Sequence, residues 1–294
     1  MAKIIAFTNQ KGGVGKTTTC VNLSAYLAEM GKKVLIIDVD PQGNATMGVL
    51  GLERKKSASI GIYDVLCENC HIADAVLTSQ IKGLDIIPAT VDLAGAEVEL
   101  VRVPGREKML KKYLDAVRES YDYVCIDCPP SLGLLTLNAM TSADALVIPI
   151  QCEFFALEGV SQLINTLKLI RNSGLNSTLD IDGVLLTMYD KRSSLTDQVA
   201  NEILKHFGSK VFKTKVPRNI RLAEAPSHGQ PISLYDPRCA GALAYQSLAK
   251  EFLQRQPTAT STATSQPIIE EQVFEADAPE DDTTTESFGE SQTS

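Results

Sequence analysis

The stretch Asn9-Gln10-Lys11-Gly12-Gly13-Val14-Gly15-Lys16-Thr17-Thr18 restricts the possible folds more than any other part of the chain. The apolar run Ile4–Phe7 precedes it, and Cys20, Leu23, Leu27 and Met30, at helical spacing, follow it. A strand, a glycine-rich turn and a helix in that order make a phosphate cradle. The closely wrapped backbone points N–H groups inward, and the helix start adds its positive dipole end. In that frame Lys16 reaches the β- and γ-phosphates of a nucleotide, and the Thr17 hydroxyl offers a ligand to Mg²⁺. The usual pattern has glycine where Gln10 stands. A second lysine, Lys11, sits at the loop entry, five residues before Lys16. Lys16 already fills the local phosphate position, so Lys11 is placed to reach the nucleotide of a neighbouring subunit, by the logic of an arginine finger supplied in trans.

The rest of the chain fits a strand–turn–helix of this kind. Short runs rich in Val and Ile recur at Ile4–Phe7, Val34–Ile37, Leu84–Ile87, Val124–Ile126, Leu146–Ile150 and Val184–Leu186. Continuous apolar runs of this length read as strands buried on both faces, which is the habit of parallel sheets. Helical spacing returns at Leu195, Val199, Ile203 and Phe207. The expected fold is therefore an α/β, mostly parallel, doubly wound sheet flanked by helices. Asp38 and Asp127 each close an apolar run, and Asp40 follows two residues after Asp38. Ligands bind at the carboxyl ends of strands in such sheets, so three carboxylates converge on one metal–phosphate centre. Mg²⁺ retains several waters, which suits Asp38 and Asp127 to contacts through water.

Lys11-Gly12-Gly13-Val14-Gly15-Lys16-Thr17 resembles the deviant Walker A motif of the ParA/MinD ATPases. The resemblance extends through Asp38–Thr46, Asp127–Gly133 and Pro217–Ser227, covers about residues 1–254, and in the last two blocks is similar to chromosomal ParA proteins of the Soj type. It implies a P-loop fold, ATP and Mg²⁺ as ligands, and hydrolysis to ADP and phosphate. Lys11, Lys16 and Asp40 are implied as catalytic residues, Asp40 orienting the attacking water. The nucleotide site implied is Lys11, Gly12, Gly13, Val14, Gly15, Lys16, Thr17 and Thr18, with Pro217 and Asn219 against adenine. Gln42–Thr46 and Cys128–Gly133 look like two γ-phosphate-sensing segments, with Gly43 and Gly133 supplying backbone freedom. The resemblance further implies an ATP-dependent homodimer, non-specific duplex DNA bound through Arg192 and Arg221, a ParB-type centromere-binding partner and a nucleoid-associated place in the cytoplasm.

Charge is distributed to match. The chain carries 28 Lys and Arg against 36 Asp and Glu, but nine of the acids and none of the bases fall in 257–294. Residues 1–256 therefore balance at 28 − 27, or +1. Lys191–Arg221 holds eight bases and two acids, a local excess that suits the phosphate backbone of nucleic acid. The expected division is an ATPase domain at 1–256 and a disordered acidic tail at 257–294, polar enough that burial cannot offset its ordering entropy. No apolar run reaches the roughly 18–20 residues of a membrane span, and no signal-peptide core precedes Thr8. A cytoplasmic protein with reduced thiols is expected. Cys67-Glu68-Asn69-Cys70-His71 matches a haem attachment string that belongs to exported proteins, and Cys125 and Cys128 repeat the C-x₂-C spacing of zinc sites. Neither fits its surroundings, since Asp127-Cys128-Pro129 is already assigned to the nucleotide.

Three rivals remain at this level. A MinD-like membrane-surface ATPase needs a basic amphipathic C-terminal helix, and this C-terminal segment is acidic. An ATP-dependent ligase or reductase of the same superfamily needs a substrate pocket. A ParA homologue positioning another cargo is indistinguishable by sequence.

Overall fold

All six apolar runs are strands in the computed structural model, which describes residues 1–153 and 156–256, with only the backbone described at 157 and 158. The tail expected at 257–294 lies outside the described residues. The strands are β1 (Lys3–Phe7), β2 (Val34–Asp38), β3 (Leu77–Thr78), β4 (Leu84–Ile87), β5 (Tyr123–Asp127), β6 (Ala145–Gln151) and β7 (Asp180–Thr187). They make one seven-stranded sheet in the order β3-β4-β2-β5-β1-β6-β7. Every pairing is parallel except that of β3, a two-residue edge strand antiparallel to β4. β3 is too short to leave a hydrophobic pattern, and it is the one strand the sequence did not announce.

Alternation along each strand feeds two cores on opposite faces of the sheet. Ile4 and Ala6 of β1 join Leu35, Ile37, Val124 and Ile126 in one core. Ile5 and Phe7 join Val34, Ile36, Cys125 and Leu185 in the other. The first core is closed by helices that include Leu93–Leu100, Leu134–Ser142, Ala156–Asn172 and Ser194–Phe207. The second is closed by Lys16–Glu29, Asn44–Ser57 and Ala240–Arg255, where Cys20, Leu23 and Leu27 meet Tyr245, Leu248 and Phe252. Layered packing on both faces accounts for strands that read as unbroken apolar runs.

The register decides where chemistry can occur. β1 lies between β5 and β6, and Phe7 is paired with Asp127. On the far side of β5, Asp38 is paired with the same Asp127. The glycine-rich loop, which leaves β1 just after Phe7, therefore opens beside two aspartates that end adjacent strands. Strand order reverses on either side of β1, which is where open α/β sheets bind ligands.

Candidate nucleotide site

Hydrogen bonds to distant strands anchor the loop at its entry and near its exit. Asn9 donates from Nδ2 to the Pro149 carbonyl of β6 at 2.8 Å, and its Oδ1 accepts the Lys11 N–H at 3.0 Å. Thr187, which ends β7, donates from Oγ1 to the Val14 carbonyl at 2.8 Å. Gly15 caps the Lys16–Glu29 helix at φ 90°, a left-handed conformation that a side chain would strain. Lys16 is buried, and its Nζ donates to the Lys11 carbonyl at 3.2 Å. Burial lowers the Lys16 pKa, while Asp127, Cys128 and Asp40 act in the opposite direction. An anionic phosphate placed there would favour the charged ammonium that burial disfavours.

The three aspartates are in different states. Asp38 is hydrogen-bonded within the chain. Oδ2 accepts both the Thr46 N–H (2.8 Å) and the Thr46 hydroxyl (2.7 Å), and Oδ1 accepts the Asp40 N–H (3.2 Å). Burial still pushes its pKa up to about 6, with those hydrogen bonds working against the rise. Asp40 is buried and accepts the Gln42 N–H at 2.9 Å through Oδ1. Asp127 is fully buried, and neither of its oxygens meets a partner in good hydrogen-bonding geometry, although the Thr17 side chain is close enough to act on it. Burial first and Asp38 second hold its pKa well above the usual carboxylate range, and the nearby Thr17 offsets only part of this. A buried carboxylate without a partner is costly, and a cation or its bound water would satisfy it. Among the described residues no group of three or more His, Cys, Asp or Glu side chains is arranged to hold a metal directly. Oxygen donors from Thr17, Asp38 and Asp127 fit Mg²⁺, a hard cation that takes few protein ligands and keeps several waters.

Two cavities open on the loop. One of about 380 Å³ is lined by Gly15, Thr18, Thr187, Pro217, Asn219 and Tyr245 among others. The second, about 250 Å³, is lined by Thr17, Thr18, Asn44, Leu222 and Pro226 among others. Pro217 and Asn219 therefore lie at the mouth of the phosphate loop, although some 200 residues separate them from it in sequence. The Asn219 side chain also caps the Ile220–Glu224 helix through the Arg221 N–H at 2.8 Å.

Lys11 is held within its own chain. Its Nζ donates to Glu153 Oε2 at 2.7 Å, beyond the end of β6, while its carbonyl accepts from Lys16. The two expected sensing segments differ in why they need glycine. Gly43 is left-handed at φ 61°. Gly133 is not, at φ −83° and ψ −170°, so the backbone freedom expected of it is unnecessary. The space a Cβ would take there is filled by the Glu97 carboxylate, the movable end of its side chain.

The basic face is less basic than its count. Arg192 is gripped by Asp190, Nε at 3.1 Å and Nη2 at 3.0 Å, and this guanidinium holds the Asp190 pKa down to about 2. Arg221 pairs with Glu224 at 2.9 Å and with Asp236 at 3.5 Å. Lys210 turns to Asp180 at 2.7 Å, and Lys215 lies over the Tyr189 ring at 3.9 Å. Asp190 and Glu224 stand just outside the Lys191–Arg221 window, and including them changes 8 − 2 into 8 − 4. Arg192 and Arg221 remain 90% and 51% exposed along their side chains, so both are available to a phosphate that displaces these carboxylates.

All seven cysteines are free thiols, with Cys125 and Cys128 buried. No helix among the described residues is long and apolar enough to cross a membrane. Sequence reasoning passed over Asn9, Thr187, Glu153 and Glu97. Asn9 opens the glycine-rich string and was within reach of it. The other three carry no local signal, because their partners lie 38 to 173 residues away.

Residues 2–181 match the protein family described as an AAA domain. The sporulation initiation inhibitor protein Soj of Bacillus subtilis is 58% identical over 251 residues, which is 85% of this chain and 98% of Soj. The chromosome partitioning protein ParA of Caulobacter vibrioides is 51% identical over 256 residues, 86% of this chain and 95% of ParA. Among solved structures, cobyrinic acid a,c-diamide synthase from Mycobacterium smegmatis, with ADP and magnesium bound, aligns at a TM-score of 0.75 and 34% identity, covering 86% of this chain and 95% of that one. With a phosphate loop at the switch point of this sheet, and with relatives so similar over nearly their full length, the chain belongs to the Soj/ParA family of chromosome-partitioning ATPases, within the ParA/MinD group.

Proposed function

We propose that this chain is an ATP-driven switch in chromosome or plasmid partitioning. Two copies close around ATP and Mg²⁺, the closed dimer binds duplex DNA without regard to sequence, and hydrolysis stimulated by a ParB-type partner releases it. The observation that carries the reading is the fully buried Asp127 carboxylate, which lacks a hydrogen bond in good geometry, near Lys16 and Thr17 at the glycine-rich loop. The identities to Soj and ParA favour partitioning over a membrane-surface or biosynthetic role.

In this reading the N–H groups of Gly12–Thr18 and the Lys16 ammonium bind the phosphates. Thr17 would ligate the metal directly, and Asp127 and Asp38 would hold its waters. Bound Mg²⁺ supplies neutralisation of charge on the phosphate oxygens. Asp40 orients the attacking water, positioning being the larger part of catalysis in phosphoryl transfer. Pro217 and Asn219 flank adenine. Lys11 exchanges Glu153 for the partner subunit's nucleotide, and Arg192 and Arg221 exchange their carboxylates for DNA phosphates. Residues 1–256 constitute the ATPase domain and 257–294 an acidic tail, and the protein resides on the nucleoid.

The test is binding to two unrelated duplexes with ATP and with ADP, by wild type and by Arg192→Glu and Arg221→Glu. Binding is expected only with ATP, equally to both duplexes, and is lost in both variants while ATP-driven dimerisation persists. Replacing either arginine with Ala removes two phosphate contacts per dimer, which lowers the log–log salt slope by about 1.8. Equal binding in the two nucleotide states would overturn the switch.

A further inference from the structure

The loop that carries Asp40 is held by a residue that belongs to none of the motifs. Asp40–Gly43 is a turn, in which the Gly43 N–H donates to the Asp40 carbonyl at 2.8 Å and the Gln42 N–H to Asp40 Oδ1 at 2.9 Å. The ammonium of Lys55 ties down the carbonyls on the far side of that turn. Its Nζ donates to the Gln42 carbonyl at 2.6 Å and to the Gly43 carbonyl at 2.9 Å. The fit is close enough that a Cβ on Gly43 would stand 2.6 Å from Nζ.

Lys55 reaches back across 12 and 13 residues because the Asn44–Ser57 helix is broken on the way. Gly51 interrupts it at φ 77° and ψ 171°. The break is braced from outside, since a Cβ on Gly229 would stand 2.2 Å from the Gly51 Cα. Gly229 ends the turn Ala225–His228, which continues the Ile220–Glu224 helix carrying Arg221. Helix stability does not explain the contact, because an ammonium at a helix N-terminus opposes the helix dipole.

We infer that Lys55 is a positioning residue for Asp40, fixing the turn from which Asp40 addresses the reacting water, an inference that rests on the ATPase reading above. The bent helix presents the ammonium, and the brace at Gly229 joins the Asp40 turn to the segment that bears Asn219 and Arg221.

The experiment compares wild type with Lys55→Met and Lys55→Arg by steady-state ATP hydrolysis, thermal melting and amide hydrogen exchange of the nucleotide-free protein. In Lys55→Met, kcat should fall about tenfold, as small misplacements near chemistry do, with KM for ATP and Tm unchanged. Exchange over residues 42–46 should rise by about tenfold, as local opening becomes easier. Lys55→Arg should restore most of both. Unchanged kcat, unchanged exchange over 42–46, or loss of kcat only in step with Tm would overturn the assignment. A wild-type protein that hydrolyses no ATP would break the ATPase reading instead, and the exchange measurement would still decide whether Lys55 holds the turn.

Discussion

The nucleotide end of the sheet and the basic face use charge in opposite ways. At the strand ends, Lys16, Asp38, Asp40 and Asp127 are buried, and the strand register sets Asp38 beside Asp127. On the basic face, Arg192 and Arg221 are exposed, and each is answered by a carboxylate of the same chain. Buried charge is expensive unless something completes it, so the first region is incomplete without a ligand. Exposed ion pairs are worth little and exchange readily, so the second region is self-satisfied and can trade partners. The difference suggests a division of labour, in which the strand ends set affinity and the surface pairs set when the other partner is admitted.

The largest expected effect lies at the buried end. Lys16→Ala removes the one ammonium facing the phosphates and should weaken ATP binding by about 100-fold or more, as charge-assisted hydrogen bonds require. Titration calorimetry checks it, and near-normal affinity would show that the strand ends are not the site. Lys11, at the entry of the glycine-rich loop, should behave differently. Lys11→Ala should leave nucleotide binding by the monomer intact and abolish ATP-dependent dimerisation, read by light scattering. Glu153→Gln, which releases that lysine, should instead promote dimerisation by about two- to fivefold in protein concentration, the scale of a partly exposed pair. Asp190→Asn should give the smallest change. Freed of its carboxylate, Arg192 should bind duplex DNA about two- to threefold more tightly at roughly 50 mM salt and no differently at roughly 200 mM, where screening dominates. An Asp190→Asn protein indistinguishable from wild type at both salts would remove the idea of exchange on that face.

The same contrast separates what was legible in the sequence from what was not. Asp38 and Asp127 were legible because each ends an apolar run, and the sheet then had few ways to arrange them. Gly15 was legible as one of the glycines that let the loop wrap closely, and in the fold it is left-handed. The +6 of Lys191–Arg221 was misleading, because a count within a window cannot see Asp190 just before it, Glu224 just after it, or Asp180 paired with Lys210 across 30 residues. Gly133 was assigned the wrong reason, since its crowding comes from Glu97 on a separate helix. Lys55, Glu153 and Thr187 act through partners that only the folded chain brings near. Local pattern placed the strand-end aspartates, and tertiary pairing set the partners of Arg192, Lys210 and Arg221.

The edges of the sheet bear on how copies of this chain can associate. On one side the sheet ends in β3, two residues long, which offers almost no length for another strand to add to. On the other side β7 is already occupied. The Phe212 N–H bonds the Val184 carbonyl at 2.9 Å, the Val216 N–H bonds that of Leu186 at 2.9 Å, and Tyr189 is bridged to Pro217. Neither margin is a template for strand addition, the route by which sheets grow into fibres and aggregates. In the switch proposed above, which pairs and separates repeatedly, edge-to-edge growth is thereby disfavoured, and reversible association is left to the loops at the strand ends.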